Sequence, residues 1–313
     1  MTRLTDFAMT RALLGALMLM VLGAGALQAA GSTTPAAIRP EFSQQISKAA
    51  SLALQIDMAG TQRMLSQRMT AAACLVNLGV NPDQQHLALS ESVDLLSASI
   101  DRLDTGYPLT GMQPVDDPIA RAGLEAERAI WSELLPLVAA IRDYGRSPQT
   151  LQSIVAQEPV LLRTAQNLVQ ALRRGAWGNG AAQAEIRALD LVGRQRMLAY
   201  QMLKEACLIT TEGRAGRETE PHRRALLAAL DMFEMTAGQL IAGDEAARIA
   251  PPPNDDAFAA LDQVQLHWQD LRPLFEPALE GEALGPAALG DLSYDYDALL
   301  FDLNEVVWYY TLD

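Results

Sequence analysis

The feature that most constrains this chain is that its sequence is written twice. Ile56 to Cys74 aligns without a gap on Leu189 to Cys207 at an offset of 133, and nine of the nineteen positions are identical, among them Asp57/Asp190, Gly60/Gly193, Gln62/Gln195, Arg63/Arg196 and Cys74/Cys207. Further along the offset becomes 137, pairing Leu103 with Leu240, Gly106 with Gly243, Trp131 with Trp268, Pro136 with Pro273 and Asn167 with Asn304. The slip falls in the loop after the first element, where insertions are tolerated. A repeat of this length makes each copy one folding unit, so any fold assigned to one half must serve the other.

Each copy predicts four helices and no strands. In the first, residues 43–78 form a long Ala/Leu/Met/Gln stretch stopped by Gly79 and Asn81-Pro82. Residues 84–103 follow, with Leu89, Val93, Leu96, Ile100 and Leu103 at helical spacing. The third spans 118–144, bent at Pro136, and the fourth 150–172. The second copy repeats this at 181–211, 223–241, 256–279 (through Pro273) and 292–310. Alternating β-branched runs are missing, and the boundary between copies falls at the Gly/Asn-rich stretch 175–180.

The start of the chain reads as an export signal. Arg3 and Arg11 precede an apolar run from Ala12 to Leu27, and Leu27-Gln28-Ala29-Ala30-Gly31 offers a cleavage site, so residues 1–29 are expected to be removed, with 30–42 a linker. The alternative is an uncleaved inner-membrane anchor, but sixteen helical residues rise only about 24 Å, short of the hydrocarbon core. The expected compartment is the periplasm. A net charge of -14, from 24 Lys+Arg against 38 Asp+Glu, argues against a nucleic-acid partner. Three His and two Cys leave little for catalysis or zinc. An enzyme is not expected, nor is a cofactor, a catalytic residue or a metal site. Met58, Met64 and Met69 read as core filling, Trp131 and Trp268 as packing, and Asp83 with His86 as polar residues facing solvent.

The identities crowd into Ala59-Gly60-Thr61-Gln62-Arg63-Met64-Leu65-Ser66-Gln67-Arg68-Met69 and Val192-Gly193-Arg194-Gln195-Arg196-Met197-Leu198-Ala199-Tyr200-Gln201-Met202. This motif resembles the first helix of the PilJ-type or NarX-like N-terminal domain, the periplasmic sensing module of nitrate/nitrite sensor kinases and of type IV pili chemotaxis transducers. The resemblance implies an all-α fold of two tandem four-helix up-down bundles, at 43–175 and 180–313. It also implies a small oxyanion such as nitrate or nitrite held between the two first helices by Arg63 and Arg196, helped by Gly60 and Gly193, with Gln67, Arg68 and Arg194 as further candidates. Arg68 has become Gln201 in the second copy, a break in the symmetry. With no kinase or methyl-accepting segment in the 313 residues, the expected output is a relay to a separate membrane-bound sensor or transducer.

The residues themselves leave two readings open. Facing guanidiniums repel unless an anion sits between them, so an oxyanion site needs both arginines free of carboxylates. If instead each holds an acidic residue, such as Asp57 or Asp190, they keep two helices in register, and the chain reads better as an adaptor in an envelope or pilus-linked assembly with no small ligand. Cys74 and Cys207 lie eleven residues after the two arginines on the same helix face. They either bridge the copies across a pseudo-dyad or sit apart as two small buried hydrophobes.

Overall fold

In the computed structural model, residues 48–175 and 180–311 are described. The expected signal peptide (1–29), the linker (30–42), the start of the first bundle and the turn 176–179 lie outside the described residues. Most of the described residues are helical. The first copy holds α1 (Lys48–Leu78), α2 (Pro82–Thr105), α3 (Pro118–Tyr144) and α4 (Pro148–Gly175); the second holds α5 (Gly180–Arg214), α6 (Glu220–Ala242), α7 (Asp255–Leu271) and α8 (Pro286–Thr311).

Helix ends follow local chemistry. Asn81 takes a left-handed conformation (φ 41°), which turns the chain straight into Pro82, so α2 starts two residues earlier than its apolar spacing predicts. Asp117 caps α3, accepting from the amides of Ile119 and Ala120 at 3.0 and 2.8 Å. The repeated proline acts differently in the two copies. Pro136 is accommodated inside a continuous α3. After Leu271 the chain instead tightens into a 3₁₀ turn, Arg272–Phe275, and one further turn, Glu276–Leu279. The expectation of one helix over 256–279 is corrected here: Pro277 follows Pro273 by four residues and removes a second backbone donor. The connectors before α3 and α7 share one shape, with isolated antiparallel bridges at Tyr107–Met112 and Asp244–Ile249, again 137 apart.

Packing repeats as the sequence does. In each copy the second and fourth helices flank the first and the third closes the layer; the broadest interface joins α1 to α5. Trp131 donates to Ser97 Oγ at 3.1 Å and Trp268 to Glu234 Oε1 at 3.4 Å, equivalent bonds in the two bundles. Met69 is buried, and Met58 and Met64 pack against the core. His86 is tied to the carbonyl oxygen of Arg142 at 2.8 Å.

One buried position breaks the equivalence. Glu127 of α3 is fully enclosed where the second copy has the buried Val264. Burial pushes its carboxyl up to about 8. It lies 3.0 Å from the Gln62 amide, whose other end is 3.1 Å from Ser99 Oγ, and Ser99 in turn donates to the Leu96 carbonyl. The Gln62 amide therefore stands between the Glu127 carboxyl and the Ser99 hydroxyl, all three buried.

The sign of the pH dependence follows. The folded state binds this proton more tightly than the unfolded chain, where the carboxyl titrates near its ordinary 4.5, so stability is full below that and falls as pH rises toward about 8. The slope from this group approaches about 1.4 kcal/mol per pH unit. Glu127→Gln should flatten chemical-denaturation stability between pH 5 and 8 and make the protein more stable than wild type at pH 8; an unchanged pH profile would show that the carboxyl is not buried as described.

The arginine crossing, the candidate functional site

Two contacts fix how the copies meet. Gly60 and Gly193 face each other so closely that a Cβ on Gly193 would stand 4.0 Å from the Gly60 Cα. Fourteen residues on, Cys74 and Cys207 form a disulfide with their Cα atoms 6.2 Å apart. Equivalent residues therefore meet about 21 Å apart along the seam. Helices α1 and α5 run parallel and in register, related by a pseudo-twofold axis between them.

The motif arginines converge at the glycine end. Arg63 Nη2 and Arg196 Nη2 lie 3.3 and 3.7 Å from where a Gly193 Cβ would be, so any side chain there would push on a guanidinium. Each arginine holds the aspartate of the opposite copy. Arg63 Nη2 is 2.8 Å from Asp190 Oδ1, and Arg196 Nη2 is 2.6 Å from Asp57 Oδ1. The exchange is isologous: Asp57 and Asp190 are repeat equivalents, as are Arg63 and Arg196, so the seam is a dimer interface folded into one chain.

The surroundings are not symmetric. Asp190 is 3% exposed and takes a second guanidinium, Arg173, at 2.5 Å, whereas Asp57 is 27% exposed and has Arg196 alone. Arg196 also donates to Asn304 Oδ1 at 3.1 Å. Burial would push the Asp190 carboxyl up, but Arg63, Arg173 and Arg194 outweigh it and hold it below its ordinary value. Four guanidiniums thus surround two carboxylates, and the Nε atoms of Arg63, Arg194 and Arg196 are buried without a hydrogen-bond partner.

Arg63, Arg196, Gly60 and Gly193 are therefore brought together, with Arg194 beside them. Gln67 and Arg68 leave the crossing on opposite flanks. Gln67 donates to Glu158, which also accepts from Lys204 Nζ at 2.9 Å. Arg68 pairs with Glu91 at 2.7 Å and lies over the Tyr200 ring, 6.0 Å from its centroid. The buried group Glu158, Lys204, Glu205 and His222 escapes the motif, because it is formed by residues the repeat does not share. The visible signal is Lys204-Glu205 standing in an otherwise apolar stretch where the first copy has Ala71-Ala72.

A parallel pair of first helices, each flanked by its own second and fourth, defines a helical-bundle domain present twice in one chain. The family model of the type IV pili methyl-accepting chemotaxis transducer N-terminal domain, PilJ, matches residues 45–158 and again 181–288. The chain belongs to that family, carrying its domain in tandem. No curated protein and no solved structure matches it.

The asymmetry sets the energetics. Removing Asp190 strands the fully enclosed Arg63, a loss on the order of 3–5 kcal/mol for a broken buried pair. Removing Asp57 leaves Arg196 with Asn304 and a partly open neighbour. Urea unfolding should therefore find Asp190→Asn several-fold more costly than Asp57→Asn; equal losses would refute the unequal clasp. The disulfide closes a separation of 133 residues, so Cys74→Ser with Cys207→Ser should lower stability by about 2–5 kcal/mol while circular dichroism still reports full helix content.

Proposed function

We propose that this chain is an exported sensor-type module that carries both halves of a two-fold sensor in one polypeptide and acts through a separate membrane-bound transducer. The observation that carries this reading is the permanent seam. Crossed Arg–Asp pairs and a disulfide make within one chain the contact that two protomers would make reversibly. Such a module has no dimerisation step to regulate, so its output goes through surfaces offered to a partner. Helix α8 supports this, because Tyr294, Phe301 and Trp308 recur every seven residues and are exposed, while the matching stretch of α4 carries no aromatic residue. A disulfide between the copies fits an oxidising compartment and so favours export.

In this reading the crossing is a register clasp whose own carboxylates occupy the place of an anion. The oxyanion reading keeps one specific support: guanidiniums outnumber carboxylates there, and Asp57 is the more accessible of the two aspartates. Melting temperatures of the exported protein, measured in nitrate, nitrite and chloride at matched ionic strength, separate the two. The clasp predicts no nitrate-specific shift in the wild type and a gain of one in Asp57→Asn, where Arg196 is released. A wild-type shift that Arg196→Ala abolishes would transfer the function to oxyanion sensing. Mass spectrometry of the same material should place the mature N-terminus near residue 30; a full-length chain held in the membrane would overturn export.

A further inference from the structure

Beyond the crossing, the pseudo-twofold axis relates two flanks that should be alike and are not. On one flank the space between α1, α4, α5 and α6 is filled by charge. Lys204 Nζ sits 2.9 Å from Glu158 Oε2 and 3.1 Å from Glu205 Oε1, and Glu205 meets His222 Nδ1 at 2.7 Å. On the other flank the repeat puts Ala71 in place of Lys204, Ala72 in place of Glu205 and Gln85 in place of His222. Truncating two long side chains to methyl groups leaves a cavity of about 260 Å³ between α1, α2, α5 and α8.

The walls of that cavity are chemically specific. Ala71, Ala72 and Leu203 form an apolar floor. Arg68 enters from one side, held by Glu91 through Nη2 but with its buried Nε unpartnered. Asp297 enters from α8, where it accepts only an amide bond from Gln84, at 3.1 Å. Gln85 and Ser293 are bonded to each other at 2.8 Å, which fixes the wall between them. With Arg68 and Glu91 offsetting one another, the lining carries one carboxylate more than it has cations.

We propose that this cavity binds a small zwitterion of the α-amino-acid type. Its ammonium group faces Asp297, its carboxylate meets the part-exposed guanidinium of Arg68, and its side chain rests on Ala71, Ala72 and Leu203. The sister flank shows the complement: the equivalent space is occupied by an ammonium and a carboxylate that the protein supplies itself through Lys204 and Glu205. At about 260 Å³ the cavity lies just under the roughly 300–1,000 Å³ of typical small-molecule sites, which suits a small ligand. The site shares no residue with the arginine crossing, so it stands or falls apart from the reading given above.

Thermal-shift and calorimetric titration of the wild-type protein with each of the twenty common L-amino acids tests the proposal. At least one should raise the melting temperature and titrate to a single site. The response should vanish in Ala72→Leu, which fills the cavity, and fall at least tenfold in affinity in Asp297→Asn, an exposed change that leaves the fold intact. It should survive in Asp57→Asn, which touches only the crossing. The absence of any amino-acid response in the wild type overturns the site, as does binding that persists in both cavity variants. Binding of methylammonium as tight as that of the best amino acid overturns the zwitterion.

Discussion

The close approach of Gly60 to Gly193 is the constraint on which the rest of the molecule depends. Two parallel helices can come this near only where neither has a Cβ in the way, and the space gained is taken at once by the guanidinium ends of Arg63 and Arg196. Two cations brought together out of water repel, so the crossing needs carboxylates of its own. The repeat places an aspartate six residues before each arginine, and each arginine takes the one on the opposite helix, across the pseudo-dyad. Glycine, arginine and aspartate at these spacings are one device, and the disulfide fourteen residues further on keeps both ends of the seam in register.

Much of this was legible in the sequence because duplication doubles every signal. The helix count, the absence of strands among the described residues, the connectors and the matched tryptophans all follow from periodicity seen twice. The motif located the crossing, and Asp57 and Asp190 could be named as partners for the arginines. What motif reasoning could not weigh was occupancy. Whether a guanidinium takes a solute anion or a side-chain carboxylate depends on distances of an ångström between helices far apart in sequence. The break after Leu271 takes two prolines: Pro136 alone is accommodated within α3, whereas Pro273 and Pro277 together interrupt the equivalent helix.

The functional differences between the copies sit where the repeat diverges, and self-comparison looks past such positions by design. Glu127 against Val264, Ala71-Ala72 against Lys204-Glu205, and Arg68 against Gln201 are mismatches in an alignment, yet each decides what a buried space contains. An unmatched ionisable residue at a core register is therefore as informative as an identity. Lys204 and Glu205 would disfavour burial singly; together with Glu158 and His222 each ionised group finds a counter-charge within hydrogen-bond distance.

A symmetric dimer cannot make these distinctions, because a substitution that fills one flank fills the other. Fusing the two halves into one chain removes that coupling. One flank can then be closed by ion pairs that fix α4 and α6 against the seam, while the other is opened by two alanines beneath Arg68 and Tyr200. The closed flank resists change, since breaking any one of its pairs strands a buried charge. The open flank carries less of this penalty, since its one ion pair, Arg68 with Glu91, is part-exposed and its floor is apolar. The open flank is bordered by α2 and α8, and α8 is also the helix that carries the exposed aromatic residues Tyr294, Phe301 and Trp308, so the cavity and that stripe share one helix.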